Sequence, residues 1–357
     1  MEYANLEQLV IDRYIATMAD FRAVGSAEAD EVAQRAFYQF ITKIYASLHT
    51  DPGILFSSFH EADIYHNRYN MSSENKPELY GLIKRIMTAI DGFFEVLRTL
   101  PDSSMVDGNL MKIPKEVKLK KSHIKLLEAV GIAVTVTKSE YSLCLGEYLP
   151  MLPAWRWLAH RADISQFLFA RCVFTSPEVY AHDIFHVNLG NSAAFDKLIG
   201  FLQDNGYECT TMRDGELTLD YAKDYGKKPT PLKTGWAERD HAGIECKYYP
   251  VIDKAFAITL RIPRNTELLK MLDSMPVNVK EFVLRQNPKC NNCHYCVQTD
   301  KTGKRPLACI PAEHDGKKYA LCPRFPGFHF TWDYIDDQLV EEMTAYLEFI
   351  DSVINRM

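Results

Sequence analysis

Several common signatures are missing from this chain of 357 residues. It has neither a Gly-x-Gly-x-x-Gly fingerprint nor a phosphate-binding P-loop, so neither familiar nucleotide-binding motif is available. No apolar run approaches the roughly 18 residues of a membrane-spanning helix. The opening Met1-Glu-Tyr-Ala-Asn-Leu-Glu carries acids where a secretory leader needs bases followed by an apolar core. No internal repeat or low-complexity tract occurs. An even set of cysteines at framework spacing is also missing. The nine cysteines are an odd number, and Cys144, Cys172, Cys209 and Cys246 stand singly in apolar segments. Such spacing fits reduced, buried thiols better than secreted disulfides, so a reducing cytosol is the expected compartment. There is no large excess of one charge. Forty-one Lys and Arg against 47 Asp and Glu leave a net charge of −6. That argues against a wholly nucleic-acid- or membrane-binding surface, yet allows a local basic face.

What remains is ordinary globular composition, 47% hydrophobic and 25% charged, in a chain long enough for two or three cores. Its first hundred residues read as helices. Leu6, Val10, Tyr14, Met18 and Phe21 form one stripe at helical spacing. Ser26 is placed to cap a second helix that buries Val32, Phe37, Ile41, Ile44 and Leu48 and ends at Asp51-Pro-Gly53. Pro77 suits the first turn of a third, with Leu79, Leu82, Ile83, Ile86, Ile90, Phe93, Phe94 and Leu97 inward and Pro101 beyond its end.

Residues 101–108 have the composition of a linker. A basic stretch follows, in which Lys112, Lys115, Lys118, Lys120, Lys121 and Lys125 are offset only by Glu116. A short helix from Ser122 to Ala129 then leads into two strands, 132–137 and 141–145, around the turn Lys138-Ser-Glu140. Helix followed by hairpin resembles the end of a winged helix, with the Lys112–Lys125 stretch on the side that would face nucleic acid. The plain alternative is a solvated lysine face.

From Asp183 the pattern turns α/β. Ile184 to Leu189 reads as a strand, and Asn191 or Ser192 caps a helix that stops at Asn205-Gly206. Strands at 207–212 and 217–221 flank an Asp-Gly turn. After a polar loop, strands at 244–249 and 256–262 precede a helix opened by Asn265 or Thr266. This order suggests a mostly antiparallel sheet with helices on one face. A helix over 333–355 closes the chain, with its acids Asp336, Asp337, Glu341 and Glu342 towards the favourable end of the helix dipole.

The most informative residues are Cys290, Cys293 and Cys296, two residues apart each time, together with Cys322 before Pro323. Three thiols so close can all point at one small centre. The leading reading is structural zinc held by all four, as paired cysteines hold zinc in ribbons, with Cys309 or His294 able to replace one ligand. Turns at Asp300-Lys-Thr-Gly303 and His314-Asp-Gly-Lys317 would fold 297–299, 305–311 and 318–321 into a small sheet that a metal must stabilise. Alternatively the order resembles bacterial ferredoxins and a four-iron (4Fe–4S) cluster. In that family the last cysteine comes three residues on, whereas Cys322 lies much further away. Thiols without a role are the bland reading.

Other groupings are weaker. His182 and His186 have the spacing that puts two imidazoles on one helix face, but the strand assigned to 184–189 argues instead for two polar residues at a sheet edge. His60, Glu61, Asp63 and His66 read first as a solvated face and second as an oxygen–nitrogen metal site. Arg239-Asp240-His241 offers a cation, an acid and a base in a loop of surface composition. Gly190 before a helix reads as a plain turn, and Trp155, Trp157, Leu158 and Phe167 as core.

The expected fold class is α+β. A helical bundle (1–108) is followed by a winged-helix-like helix and hairpin (109–181), an α/β sandwich-like domain (182–287) and a Cys-rich metal-binding unit with a terminal helix (288–357). The expected function is an intracellular, zinc-stabilised regulatory or ligand-binding protein, with a small molecule or protein as partner, nucleic acid through Lys112–Lys125, and no membrane. An enzyme, either an iron–sulfur redox protein or a metal-dependent hydrolase, is the alternative. Its site would lie in the α/β domain or at the cysteines.

Overall fold

A computed structural model describes residues 5–56, 76–211, 217–225, 241–249, 255–287, 289, 309–323 and 329–354. The fold is mixed helix and sheet, and every strand pairing among the described residues is antiparallel. No helix among them is long and apolar enough to cross a membrane. The chain divides into two compact units, one built chiefly of residues up to Ile184 and the other chiefly of residues from Phe185 onwards.

In the first unit, helices α1 (Leu6–Ile15), α2 (Glu31–Thr50) and α3 (Lys76–Thr99) stand where their apolar stripes place them, except that α1 ends at Ile15, so Met18 and Phe21, expected on its stripe, fall in irregular chain beyond it. Asp30, not Ser26, caps α2, accepting from the Ala33 N–H at 2.8 Å. Ser26 instead closes a turn with the Glu28 and Ala29 N–H groups. Val32, expected to be buried, is 67% exposed, because standing five residues before Phe37 puts it well round the helix from the buried stripe of Phe37, Ile41, Ile44 and Leu48. Aromatic rings fill the centre. Phe37 stacks on Trp155 of α5 (Leu152–His160), and the Trp155 indole N–H donates to Leu97 O at 3.0 Å. A second tie comes from Arg171, which follows the short helix α6 (Gln166–Phe169). Its buried guanidinium donates to Thr17 Oγ1 at 2.8 Å, and Tyr180 donates to Thr17 O at 2.5 Å.

The expected linker is part of a sheet. Residues Met105–Asp107 form β1, which pairs with β2 (Leu110–Pro114) through a turn at Gly108, whose φ of +60° favours glycine. Helix α4 (Lys121–Ala129) and the hairpin β3 (Ala133–Val136) and β4 (Glu140–Cys144) follow as expected, and the strand order is β1-β2-β4-β3. Of the lysines, Lys112 pairs with Asp107 at 3.0 Å and Lys115 sits 3.5 Å from the Tyr141 ring centroid, while Lys118, Lys120, Lys121 and Lys125 are exposed.

The strand expected at 184–189 is instead the end of helix α7 (Pro177–Asn188), so His182 and His186 do share a helix. Val187, which suggested a strand, is 70% exposed on that helix. Gly190 (φ +93°) turns the chain from this helix into another, α8 (Ser192–Asp204), which Asn191 caps as expected.

The second unit is a five-stranded meander in the order β11-β8-β7-β6-β5, comprising β5 (Glu208–Thr211), β6 (Thr218–Asp224), β7 (His241–Tyr248), β8 (Phe256–Arg261) and β11 (His329–Trp332). Alternation puts Leu219, Tyr221, Ile244, Cys246, Ile258, Leu260, Phe330 and Trp332 on one face. Two helices cover it, α10 (Val277–Gln286) and α11 (Asp337–Ile354). Phe282 of α10 stacks on Trp332 and meets Phe330 and Tyr346 edge-on. Helix α9 (Asn265–Lys270) and the hairpin β9 (Ile310–His314) and β10 (Lys317–Leu321) complete the described elements. Asp315 and Gly316, at φ +49° and +71°, make the expected Asp-Gly turn.

One packed group makes the first unit acid-sensitive. His123 of α4 is 2% exposed, lies edge-on to Phe93 at 5.6 Å, and has no hydrogen-bond partner for Nδ1. Burial, helped by the Lys120 charge, pushes its pKa from 6.5 down to about 4. The unfolded chain therefore binds the proton first as pH falls. This contribution to stability is intact above 6.5 and declines between 6.5 and about 4, with a slope of up to about 1.4 kcal/mol per pH unit. Replacing His123 with Leu should flatten that limb, so urea unfolding at pH 7, 5.5 and 4.5 should show a smaller acid loss in the variant than in the parent.

Candidate functional site

The second face of the five-stranded sheet is polar, yet much of it is buried. Register aligns Asp220, Glu245, Thr259 and Thr331 in one row across β6, β7, β8 and β11, and Ala222, Gly243, Arg261 and His329 in the next. Asp220 is 0% exposed and Arg261 3%. The two form an ion pair although a whole strand separates them. Neighbouring strands lie about 4.8 Å apart, so the guanidinium must pass over β7 to reach the carboxylate. The residue of β7 opposite Arg261 is Gly243. A Cβ there would fall 2.0 Å from the Tyr221 carbonyl oxygen, so no other residue fits without moving backbone. Beside the pair, Glu245 faces Asp220 directly, an unfavourable like-charge neighbour that Arg261 offsets. Thr259 and Thr331 share a hydrogen bond at 3.0 Å. The arrangement sets two carboxylates, a guanidinium and two hydroxyls on a rigid surface, a set suited to binding a polar group or to moving protons.

The second place of interest is the backbone of Cys322, just beyond the end of β10. Asn287, the residue after α10, donates from Nδ2 to Cys322 O at 3.1 Å and accepts the Cys322 N–H on Oδ1 at 2.7 Å. Asn265, the first residue of α9, donates to the same carbonyl at 3.3 Å. One carboxamide thus serves both backbone groups of one residue, as a neighbouring strand would. It extends by one step the antiparallel bridge between Lys289 and Leu321. Asn265, Asn287 and Cys322 are 1%, 7% and 4% exposed. Arg264, just before Asn265, sits at φ +43°, a left-handed conformation that costs a non-glycine residue about 1–3 kcal/mol and is held by its surroundings.

No protein-family model, curated protein or solved structure matches the chain. Its own residues therefore carry the functional reading.

Of the four cysteines named from sequence, Cys322 is described and buried, while Cys290, Cys293 and Cys296 lie outside the described residues. The spare ligand His294 lies outside them too, and Cys309 is described and partly exposed. Also outside are His60, Glu61, Asp63 and His66, the Asp214-Gly215 and Asp300-to-Gly303 turns, the strand expected at 297–299, and Arg239 and Asp240. His241 opens β7, at the edge of the polar face opposite Asp224. Among the described residues no group of three or more His, Cys, Asp or Glu could hold a metal ion. His186 lies 3.2 Å from Asp196. Trp155 is core as expected, while Trp157 is half-buried and stacks on Phe174.

Asp220, Glu245, Arg261 and Asn287 carry no site signal in the sequence, and Asn265 is marked there only as the opening of a helix, which it is. In Thr218-Leu-Asp-Tyr221 and Thr259-Leu-Arg261 the alternation is the ordinary one of a sheet with a solvated side. Only the burial of that side sets it apart. Because removing one member of a buried pair leaves an uncompensated charge, Arg261→Met should destabilise the chain by about 3–5 kcal/mol. The double change Asp220→Leu with Arg261→Met should cost less than the single one, as read from the midpoints and slopes of chemical unfolding.

Proposed function

We propose that this chain is a metal-binding regulatory or ligand-binding protein whose Cys290, Cys293, Cys296 and Cys322 hold a structural zinc, with a 4Fe–4S cluster as the alternative occupant. The observation that carries the reading is the clamp on Cys322. Asn287 and Lys289, which run directly into Cys290 in the sequence, meet Leu321 and Cys322 through hydrogen bonds and a β-bridge. The stretch that precedes Cys290 in the sequence thus lies beside Cys322, which supports a shared site for the two. Zinc suits four thiolates, and a fully thiolate-bound zinc leaves no open position for water or substrate, hence a structural role. In the described hairpin β9–β10 only Leu321 is buried, the profile of a small Cys-rich unit that needs a metal to hold it.

In the same reading the first unit supplies a nucleic-acid contact. The order β2-β4-β3, with α4 between β2 and the hairpin, is that of a strand and wing in winged-helix domains, and Lys118, Lys120, Lys121 and Lys125 are exposed beside it. A helix-turn-helix needs a second helix, and a single one lies between β2 and β3, so the likeness covers the recognition helix and wing alone.

A second reading, an enzyme with its site in the second unit, is favoured by the buried Asp220 and Arg261 with the half-buried Glu245 beside them. It predicts that Asp220→Asn abolishes turnover of a substrate at a cost in stability smaller than that of Arg261→Met.

Elemental analysis of protein purified without oxygen tests the metal reading, with about one zinc per chain and a colourless solution expected. Brown protein containing iron and sulfide would move the occupant to the cluster. Replacing Cys293 with Ser should release the metal and open the 290–322 segment to proteases. Unchanged stoichiometry and protease resistance would remove Cys293 from the ligand set. For the lysines, changing Lys118, Lys120, Lys121 and Lys125 to Glu should abolish duplex binding whose affinity in the parent falls steeply with salt. A parent chain that retards no duplex at low salt would end that part of the reading.

A further inference from the structure

We propose that β3 is a pairing edge for a second copy of this chain, joining two copies antiparallel about a two-fold axis at Thr135 into one continuous sheet. The proposal goes beyond the readings above and rests on none of them. The strand is an open edge of the sheet β1-β2-β4-β3. Its ladder to β4 decides which backbone groups are left over. The Thr137 N–H donates to Glu140 O at 2.9 Å, so the hydrogen-bonded pairs continue at Thr135 with Ser142 and Ala133 with Cys144. Val134 and Val136 therefore turn their N–H and C=O groups to the open side. None of these four groups has a partner among the described residues.

Edges of this kind are usually guarded by a charge, a proline or a bulge. The other edge of the same sheet, β1, contains Asp107, and the edges of the five-stranded sheet carry Glu208 in β5 and His329 in β11. By contrast β3 reads Ala133-Val-Thr-Val136, and no residue from Ala129 to Thr137 is charged. Val136 shares a sheet face with the buried Leu143 and Tyr141, yet it is 52% exposed.

The occupant follows from symmetry. With the axis at Thr135, Val134 of each copy lies opposite Val136 of the other, and the free groups of the two copies close into four hydrogen bonds. The same register covers the exposed Val136 with a second β-branched side chain. On the opposite face the two Thr135 side chains meet directly, as Thr259 and Thr331 do within the chain at 3.0 Å. An uncharged strand that matches itself in this way meets no repulsion from its own copy. The contact is isologous, so it consumes both edges and stops at two chains. Four residues of strand bury far less than the roughly 1,200 Å² of a stable interface, so the dimer is reversible and dissociates on dilution.

Sedimentation velocity of the full chain across a dilution series tests this, and the mass should rise from one chain towards two with concentration. Thr135 is exposed and points away from the apolar face, so charged replacements there leave the fold intact. Thr135→Lys and Thr135→Glu each set like charges opposite one another, and each alone should weaken pairing by up to about five-fold. Mixed one to one, the two variants should pair at least as well as the parent. Val136→Pro removes an N–H that the ladder to β4 does not use, and with it two of the four bonds between copies. Pairing should then fall by about 5–150-fold, with the melting temperature showing that the variant folds. If Val136→Pro does not fold, the Thr135 variants decide alone. A parent that stays a single chain at every concentration would overturn the proposal. So would growth beyond two chains, or a dimer indifferent to the charge at Thr135.

Discussion

The second unit is arranged around a charge that has been taken out of water. Asp220 is fully buried on a sheet face, and a lone carboxylate in such a place costs several kcal/mol. Its counter-charge, Arg261, comes from two strands away, across β7, where Gly243 lies opposite it. A Cβ at Gly243 would meet the backbone of Tyr221 and Ala222, so the close approach of β6 and β7 at this point depends on glycine. Burying a well-packed apolar pair instead would be neutral or stabilising. A buried pair such as Asp220 and Arg261 is thus no evidence of extra stability.

The cysteine end of the chain uses a different device. Backbone groups beyond the end of a strand are normally satisfied by water or by another strand, and here the side chain of Asn287 takes the place of a strand. Side-chain amides in this role need no length of chain to pair with. They can therefore be placed next to a proline, where a ladder would stop, as in Asn287-Pro288. The first unit relies instead on aromatic packing around Trp155 and on Arg171, whose guanidinium lies 3.4 Å from the Phe167 ring centroid and 4.6 Å from that of Tyr14.

Elements whose signal is local were legible in the sequence. Most of each stripe of α1 to α3, the Asn191 cap, the Asn205-Gly206 stop and the Asp315-Gly316 turn depend on a few neighbouring residues and are found where expected, whereas Met18, Phe21 and Val32, at or beyond helix ends, are not on the buried stripes. Elements decided by distant partners were not. Met105–Asp107 reads as linker because it sits between Pro101-Asp-Ser-Ser104 and Gly108, and pairing with β2 makes it a strand. Residues 329–332 become a strand through β8, far back in the chain. For 184–189, an apolar run of that length fits strand or buried helix equally well, and the helix begun at Pro177 decides it. The candidate site divides likewise. Cysteine spacing is visible in one dimension, whereas the burial of a polar face and the clamp on Cys322 exist only once the sheet has formed.

The edge strand β11 also has a consequence for synthesis. Its partner β8 ends at Arg261, and α9, α10 and the β9–β10 hairpin all leave the ribosome before His329 appears. The first unit needs almost nothing beyond Ile184, so it can fold while the rest is still being made. The second unit must wait for nearly its whole length, holding the outer edge of β8 open in the meantime. Pairing across so long a stretch of chain is slow, and an open edge is a template for other chains. Nascent chains halted between β8 and β11 should be the most prone to stick to one another, and those halted near residue 184 among the least.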